Sequence, residues 1–341
     1  MKSVRIHEHG GIDVIRWEDI NTPVPGSRQV LINIKAGALN HLDLWVRDGI
    51  PGVPLPIILG SDGSGIIVDM GDDVTSFDIG DEVMVNPLVF CGECRQCVTG
   101  QENLCIAMGI LGESCDGTFA EKIILKEHQL VPKPEFLSFE EAAAFPLVAQ
   151  TAYQMLVERA EITINNWVLI WGASSGVGSI AIQIAKATGA RVIAVSSSHE
   201  KLNKAAALGA DVTVDHTSQD VLNIVKESTN GYGANVVFEH VGQATWDISM
   251  KSLARGGRVV TCGATTGPKA NLNLTHLFSK QQSVLGSTMG SQTALKGAMN
   301  LLRQKKIKPV VDRVFPMYEV KSAHEYLESA VHFGKVILSR Q

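Results

Sequence analysis

The chain has 341 residues, more than the roughly 250–300 at which a single hydrophobic core stops growing, so two domains are expected. Apolar residues make up 45% and charged residues 19%, an ordinary globular balance, and a net charge of -5 with scattered Lys and Arg leaves no basic face for nucleic acid. No apolar run approaches the roughly 20 residues of a membrane span, and MKSVRIHEHGGIDVIRW lacks the apolar stretch of a signal peptide, so a soluble, cytoplasmic chain is expected.

The first part of the chain is strand-like and broken by Gly and Pro. VLINIKAGAL alternates as a half-buried strand does, PGVPLPIILGSDGSGIIVDMG reads as a loop and two short strands, and GDEVMVNP and FAEKIILK each add one. Many short strands separated by turns predict a mostly antiparallel, barrel-like domain.

Between those last two strands lies CGECRQCVTGQENLC, with the spacing C-x2-C-x2-C-x7-C. Cys91, Cys94, Cys97 and Cys105 in one short loop are expected to hold a single Zn2+ tetrahedrally. Disulfides would need an oxidising compartment. A site ligated four times by protein is closed: it has no position for a substrate, so it braces a lobe and does no chemistry. The two remaining cysteines, Cys115 and Cys262, read as small buried hydrophobes.

The pattern changes near Ser138. SFEEAAAFPLVAQTAYQMLVERA is helical in character, with Ser138 as N-cap and Glu141 three residues later completing a capping box. Strand and helix then alternate. NWVLIW, RVIAVS, ADVTV, NVVFEHVG, GGRVVTCG and SVLGSTMG read as strands, with GVGSIAIQIAKATGA and EKLNKAAALG among the intervening helices. This is the pattern of a doubly wound parallel sheet, an α/β fold. The tail carries a helix, a strand pattern around Val310–Val314, another helix and HFGKVIL, and is expected to return to the first domain. The expected division is 1–147 with 289–341 for the barrel, and 148–288 for the parallel sheet.

The turn Ala173-Ser174-Ser175-Gly176-Val177-Gly178 sits between a strand and a helix, the context a dinucleotide-binding turn requires. Small residues let the backbone approach a pyrophosphate, and the helix N-terminus offers N–H groups and a positive dipole end. The other reading is a close helix–strand crossing. At the end of the next strand an NAD site places Asp or Glu for the ribose hydroxyls. Here the chain reads Ser196-Ser197-Ser198-His199-Glu200-Lys201. Hydroxyls and Lys201 suit a 2′-phosphate, so NADP(H) is expected over NAD(H), with His216 adding an edge contact near the adenosine. The alternative is a polar loop that only caps the following helix. His240 ends NVVFEHVG, at the edge where open α/β sheets bind ligands, and reads equally well as a structural histidine.

Taken together, the four-cysteine loop, GDEV, the dinucleotide turn and the closing GKVIL resemble the medium-chain dehydrogenase/reductase superfamily, the zinc alcohol dehydrogenase and quinone oxidoreductase group. The resemblance covers nearly the whole chain. It implies a GroES-like mostly antiparallel β barrel, a Rossmann domain, and a structural zinc on the four cysteines. It also implies that Thr151 and Lys335 approach the nicotinamide half of the cofactor. Lys335 would neutralise the pyrophosphate, and His41 would reach the phosphates.

Zinc alcohol dehydrogenases carry a second, catalytic zinc. Here Asn40 stands where its first Cys ligand would be, Ser61 and Asp62 stand for the His-Glu pair, and Leu147 lies near the junction ligand. Leu42 and Trp45 fall at the positions of the proton relay. Asp62 alone is a poor zinc site. These departures resemble the quinone oxidoreductase branch, which binds no catalytic metal. Alcohol oxidation without zinc is hard to support, whereas reducing a quinone or an α,β-unsaturated carbonyl demands less. Asn40 is then a contact to the acceptor oxygen or a structural amide, Asp43 supports its loop, and Ser61 and Asp62 orient water or ligand. Leu42, Trp45, Val89 and Leu147 are candidate apolar walls or ordinary core. A reductase of short enoyl thioesters, a zinc alcohol dehydrogenase with an unusual second site, and a non-catalytic nucleotide-binding protein stay open. SVLGSTMG at the sheet edge is expected to pair with a twofold mate, giving a homodimer or homotetramer.

Overall fold

The structure is a computed structural model that describes residues 1–340. It divides into two compact units: Met1–Leu147 together with Pro309 onward, and Val148–Lys308.

The first unit is built on a long strand, Gln29–Ala38. One sheet runs Leu130–Pro132, Glu82–Val85, Asp62–Met70, Gln29–Ala38, Lys335–Ser339, Val311–Pro316, and Lys122–Lys126 also pairs with the long strand. All pairings are antiparallel except the last two strands, which are parallel. A smaller sheet of Arg16–Asp19, Lys2–Ile6 and Ile57–Ile58 completes the GroES-like barrel. Its core is Val4, Ile32, Ile34, Leu59, Ile67, Phe119 and Val336, all fully buried. The last strand thus joins residues near the C-terminus to the centre of the N-terminal sheet.

Register decides what meets at the end of that sheet. Ala38 pairs with Asp62 on one side and with Ile337 on the other. Leu39 N donates to Val336 O at 2.9 Å, which carries the second pairing one residue further. Antiparallel pairing therefore brings Asn40, Asp62 and Lys335 to one corner, although Asn40 and Lys335 are 295 residues apart.

The second unit is a six-stranded parallel Rossmann sheet in the order Val212–Asp215, Arg191–Ser196, Trp167–Ile170, Ala234–Glu239, Leu253–Thr261, Ser283–Gly286. Chain order reverses at Trp167–Ile170, which has its sequence neighbour on one side and a later strand on the other. The expected helix from Ser138 is interrupted. Ser138 caps it as predicted, with Oγ accepting from Glu141 N at 3.2 Å and Glu141 Oε2 accepting from Ser138 N at 3.0 Å. It stops at Ala143, restarts at Pro146 and widens to π-type turns over Gln154–Arg159. Proline is tolerated at a first helical position but not inside a helix, so Pro146 sets the break. The sequence placed the return to the barrel at 289, whereas the units divide at Lys308/Pro309. Helix Gln292–Arg303 buries Ala294, Leu295, Ala298, Met299 and Leu302, an apolar face that packs within the second unit. Among the described residues no helix is long and apolar enough to cross a membrane.

Gly60 is a fixed point of the barrel. Its φ is +97°, and a Cβ there would lie 2.3 Å from the ring of the fully buried Phe119. Gly60→Ala combines a left-handed backbone with overpacking, so it is expected to cost about 2–4 kcal/mol in urea unfolding. A loss below 1 kcal/mol would show that Phe119 has room to move.

Candidate functional site

Asn40 precedes helix His41–Asp48, Asp62 opens strand Asp62–Met70, and Lys335 opens the strand that ends the fold. The three side chains are 8%, 0% and 3% exposed. Lys335 Nζ donates to Asn40 Oδ1 and, at 3.0 Å, to Asp62 Oδ2. Asn40 Nδ2 donates to the same Asp62 oxygen at 2.9 Å, and the other oxygen accepts from Leu147 N at 2.9 Å. An ammonium on one face of Asn40 and a carboxylate on the other orient its amide unambiguously. The Lys335 ammonium is enclosed in the barrel unit against Asp62. Sequence alone could not place it there, because the partner strand lies nearly 300 positions upstream.

Asp43 hydrogen-bonds into this corner. It accepts from Asn40 N at 2.6 Å and from Gly60 N at 3.1 Å, tying the helix start to the loop before Asp62. Burial pushes its carboxyl up to about 7, against the pull of these N–H groups and of the Lys335 charge. Ser61 is 1% exposed and its Oγ has no hydrogen-bond partner among the described residues. Leu42, Trp45, Val89 and Leu147 are half-buried. His41 is exposed at the helix start, its ring edge-on to Trp45 with centroids 5.2 Å apart.

In the second unit the turn after Trp167–Ile170 leads into helix Gly176–Ala187. Ser175 caps it, its Oγ accepting from Gly178 N at 2.9 Å. The first helical N–H groups, Gly176 and Val177, have no intrahelical carbonyl to reach. A Cβ on Gly178 would lie 2.3 Å from Gly172 O, so the helix crosses the strand end closely at this glycine. Ala173 is buried and Ser174 half-buried. His240 Nε2 lies 3.0 Å from Trp171 O and 3.4 Å from Ser175 Oγ, so this histidine ties two strand ends to the turn. Glu239 was not singled out from the sequence. Its buried carboxylate accepts from Val241 N and Gly242 N, each at 3.1 Å, and from Thr245 Oγ1, so it shapes the next turn. Burial raises its pKa. An acidic residue at the C-terminal end of a parallel strand was the available signal.

Ser196, Ser197, Ser198, Lys201 and His216 gather at two neighbouring strand ends. Ser196 pairs with Asp215, and His216 N donates to Ser196 O at 3.1 Å. Ser197 and His216 are exposed, while Ser198 Oγ caps the next helix by accepting from Lys201 N at 3.4 Å. Thr151 is 6% exposed and its Oγ1 has no partner among the described residues. The open helix end, the glycine cradle and this orphaned hydroxyl fit a bound dinucleotide.

The four loop cysteines converge. Their Sγ atoms all lie within 4.8 Å of one another, with neighbouring pairs at 3.5–3.8 Å. A tetrahedron with 2.3 Å Zn–S bonds has edges of about 3.8 Å, so the cluster fits one zinc. Cys94 N donates to Cys91 Sγ at 3.4 Å and Ala107 N to Cys105 Sγ at 3.3 Å, as thiolates require. No other group of three His, Cys, Asp or Glu ligands gathers among the described residues. The Asn40–Asp62 corner does not fit a second zinc: both Asp62 oxygens are committed, one of them to an internal cation. Cys115 and Cys262 are half-buried rather than buried.

Residues 26–135 match the alcohol dehydrogenase GroES-like domain and 176–304 the zinc-binding dehydrogenase family. The chain belongs to the zinc-type alcohol dehydrogenase group of the medium-chain dehydrogenase/reductase superfamily. It is 36% identical over 344 residues to a zinc-type alcohol dehydrogenase-like protein of Schizosaccharomyces pombe, covering 97% of this chain and 96% of that one. It is 33% identical over 342 residues to an acryloyl-coenzyme A reductase of Metallosphaera sedula, covering 99% and 100%. A crystal structure of an NAD-dependent alcohol dehydrogenase superposes with a TM-score of 0.97 at 44% identity over the full length of both chains. The chain is accordingly an NAD(P)-dependent oxidoreductase of this superfamily.

Substitution is expected to separate the roles of the cysteine lobe and the polar corner. Cys94→Ser is expected to lower the melting temperature by more than about 5 °C while turnover per folded molecule stays within about twofold. Normal nucleotide binding with all turnover lost would assign the lobe a chemical role. Asp43 makes a second test. The unfolded chain releases its proton near 4 and the folded one near 7, so the stability contributed by its protonated form is present at low pH and is lost as pH rises through 7. The melting-temperature advantage of the wild type over Asp43→Asn is therefore expected to narrow from pH 5 to pH 8; widening would reverse the assignment.

Proposed function

We propose that this chain is an NADPH-dependent reductase of α,β-unsaturated carbonyl compounds, enones or enoyl thioesters, with quinones as further acceptors, and that it works without a catalytic metal. The observation that carries this reading is the Asn40–Asp62–Lys335 cluster. The corner that holds a zinc in alcohol dehydrogenases is closed here by an ammonium, an amide and a satisfied carboxylate. Oxidising an alcohol needs its O–H acidified, and nothing at this corner does so; reducing a conjugated acceptor needs instead a donor for an oxygen that gains charge. The dinucleotide supplies the hydride when bound. Gly176, Val177 and Gly178 would hold its pyrophosphate, and Thr151 would meet its nicotinamide half. Ser196–Ser198, Lys201 and His216 support NADPH, since they offer hydroxyls and cations where NAD sites place a carboxylate. The acryloyl-coenzyme A reductase named above acts on an enoyl thioester, which supports the substrate class.

The edge strand Ser283–Gly286 is paired on one side only and leaves Val284 40% exposed, which supports association with a second copy.

Purified protein assayed with trans-2-hexenal, crotonyl-CoA, 1,4-benzoquinone and a panel of alcohols tests the reading. The expected result is about one zinc per chain, NADPH oxidation with the conjugated acceptors, and tighter binding of NADPH than of NADH. Two zincs per chain with efficient alcohol oxidation would overturn it, and tighter NADH binding would overturn the nucleotide preference.

A further inference from the structure

Residues 287–291 join the edge strand Ser283–Gly286 to helix Gln292–Arg303 within the second unit. Ser287 N donates to Thr261 O at 2.9 Å, so the segment starts at the C-terminal edge of the parallel sheet. Met289 is buried and has a φ of +51°, a left-handed conformation that strains any residue with a side chain. Two glutamines hold the segment. Gln150 Nε2 donates to Gly290 O at 2.8 Å and to Ser291 O at 3.1 Å, and Gln154 Oε1 accepts from Ser291 N at 3.1 Å. They lie one helical turn apart and so share a face. Gln154 also opens the π-type turns Gln154–Arg159, a rare form that is frequent at functional sites. The fit is close: a Cβ on Gly290 would lie 2.6 Å from Gln150 O. Three polar atoms on these two segments are buried without a partner among the described residues: Gln150 Oε1, Thr151 Oγ1 and Ser287 Oγ. Helix Gln292–Arg303 already has its cap, since Ser291 Oγ accepts from Ala294 N at 3.1 Å. Capping therefore explains neither the strain at Met289 nor the three orphaned groups.

A doubly wound sheet consists of two mononucleotide-binding halves, and a dinucleotide lies across the strand ends of both. The Gly176–Gly178 turn and the patch of Ser196–Ser198 and His216 belong to the half before the reversal of strand order. The ends of Ala234–Glu239, Leu253–Thr261 and Ser283–Gly286 form the other half. We infer that Gln150 and Gln154 are positioning residues for the nicotinamide half of the cofactor: they clamp residues 287–291 in the strained form that receives it. The inference rests on the nicotinamide nucleotide of the reductase reading above, not on its acceptor. A ligand gains most from a wall that is already fixed, and the clamp supplies that rigidity. Both glutamines act through the backbone they hold.

The test uses the full chain with Gln150→Leu, Gln154→Leu and Gln154→Glu, the last of which keeps an acceptor for Ser291 N. Kd is measured for NADPH and for 2′-phospho-ADP-ribose, which lacks the nicotinamide, with NADH and ADP-ribose as a parallel pair. The fluorescence of bound reduced nicotinamide and the melting temperature are recorded alongside. Both leucine variants are expected to raise the NADPH Kd about tenfold and to shift the bound fluorescence toward that of free nucleotide, while the fragment Kd stays within about twofold. Gln154→Glu is expected to keep the NADPH Kd within about threefold of wild type. Should Gln150→Leu fail to fold, the two Gln154 variants carry the test. Equal weakening of NADPH and of the fragment would make the clamp a general support of the sheet and overturn the inference. A lowered melting temperature with both constants unchanged would overturn it too, as would Gln154→Glu behaving like Gln154→Leu. A wild type that binds the fragments as tightly as the reduced dinucleotides would remove the nicotinamide half from these strand ends, and the inference with it. Failure to reduce any conjugated acceptor would overturn the reductase reading alone.

Discussion

Taking an ammonium out of water costs several kcal/mol, so the Lys335 charge persists in the interior only because a carboxylate and an amide oxygen meet it directly. That requirement holds three separate parts of the chain at one point. Asn40 follows the central strand, Asp62 opens the next one in the sheet, and Lys335 opens the last. Asp62 also reaches the N–H of Leu147, fixing the start of a helix. Asp43 then braces Asn40 from below through backbone N–H groups. Removing one charge leaves its partner stranded, so the corner behaves as a unit.

The same constraint explains why two metal-like environments in one chain differ so much. In the cysteine loop four thiols converge, and the spacing between sulfurs suits a tetrahedral ion. At the Asn40 corner the cation is already part of the polypeptide. A closed cysteine site shapes a lobe, whereas the internal ammonium ties together segments of the barrel unit that are distant in sequence.

The Rossmann unit shows how much of a site can be local. Ser175, Gly176 and Gly178 lie within four residues, and the crossing of Gly178 over Gly172 requires no partner from elsewhere in the chain. Such a turn is legible in sequence because strand, glycine and helix follow one another. The Ser196–Ser198 and His216 patch was legible for a similar reason: both segments end strands that the alternating pattern had located. Glu239 and His240 were harder to read. A buried carboxylate that organises a turn and a histidine that ties two strands look, in sequence, like any polar pair after a strand.

What the sequence by itself determined is what short-range patterns encode: two domains, an antiparallel barrel and a parallel sheet, the four-cysteine lobe, the dinucleotide turn, and the absence of Cys and His at positions 40, 61 and 62. What only the tertiary structure decided is the state of the corner those positions form. The family resemblance implied that zinc ligands are missing at positions 40, 61 and 62; it did not place Lys335 beside Asn40 and Asp62. That depends on Ala38 pairing with both Asp62 and Ile337, a register set by the packing of strands distant in sequence. Periodicity reveals that a strand exists and which face it buries, but the partner strand and the pairing offset come from burial of the whole core. A charge pair separated by 273 residues is a property of that register, and it exists only once the sheet has formed.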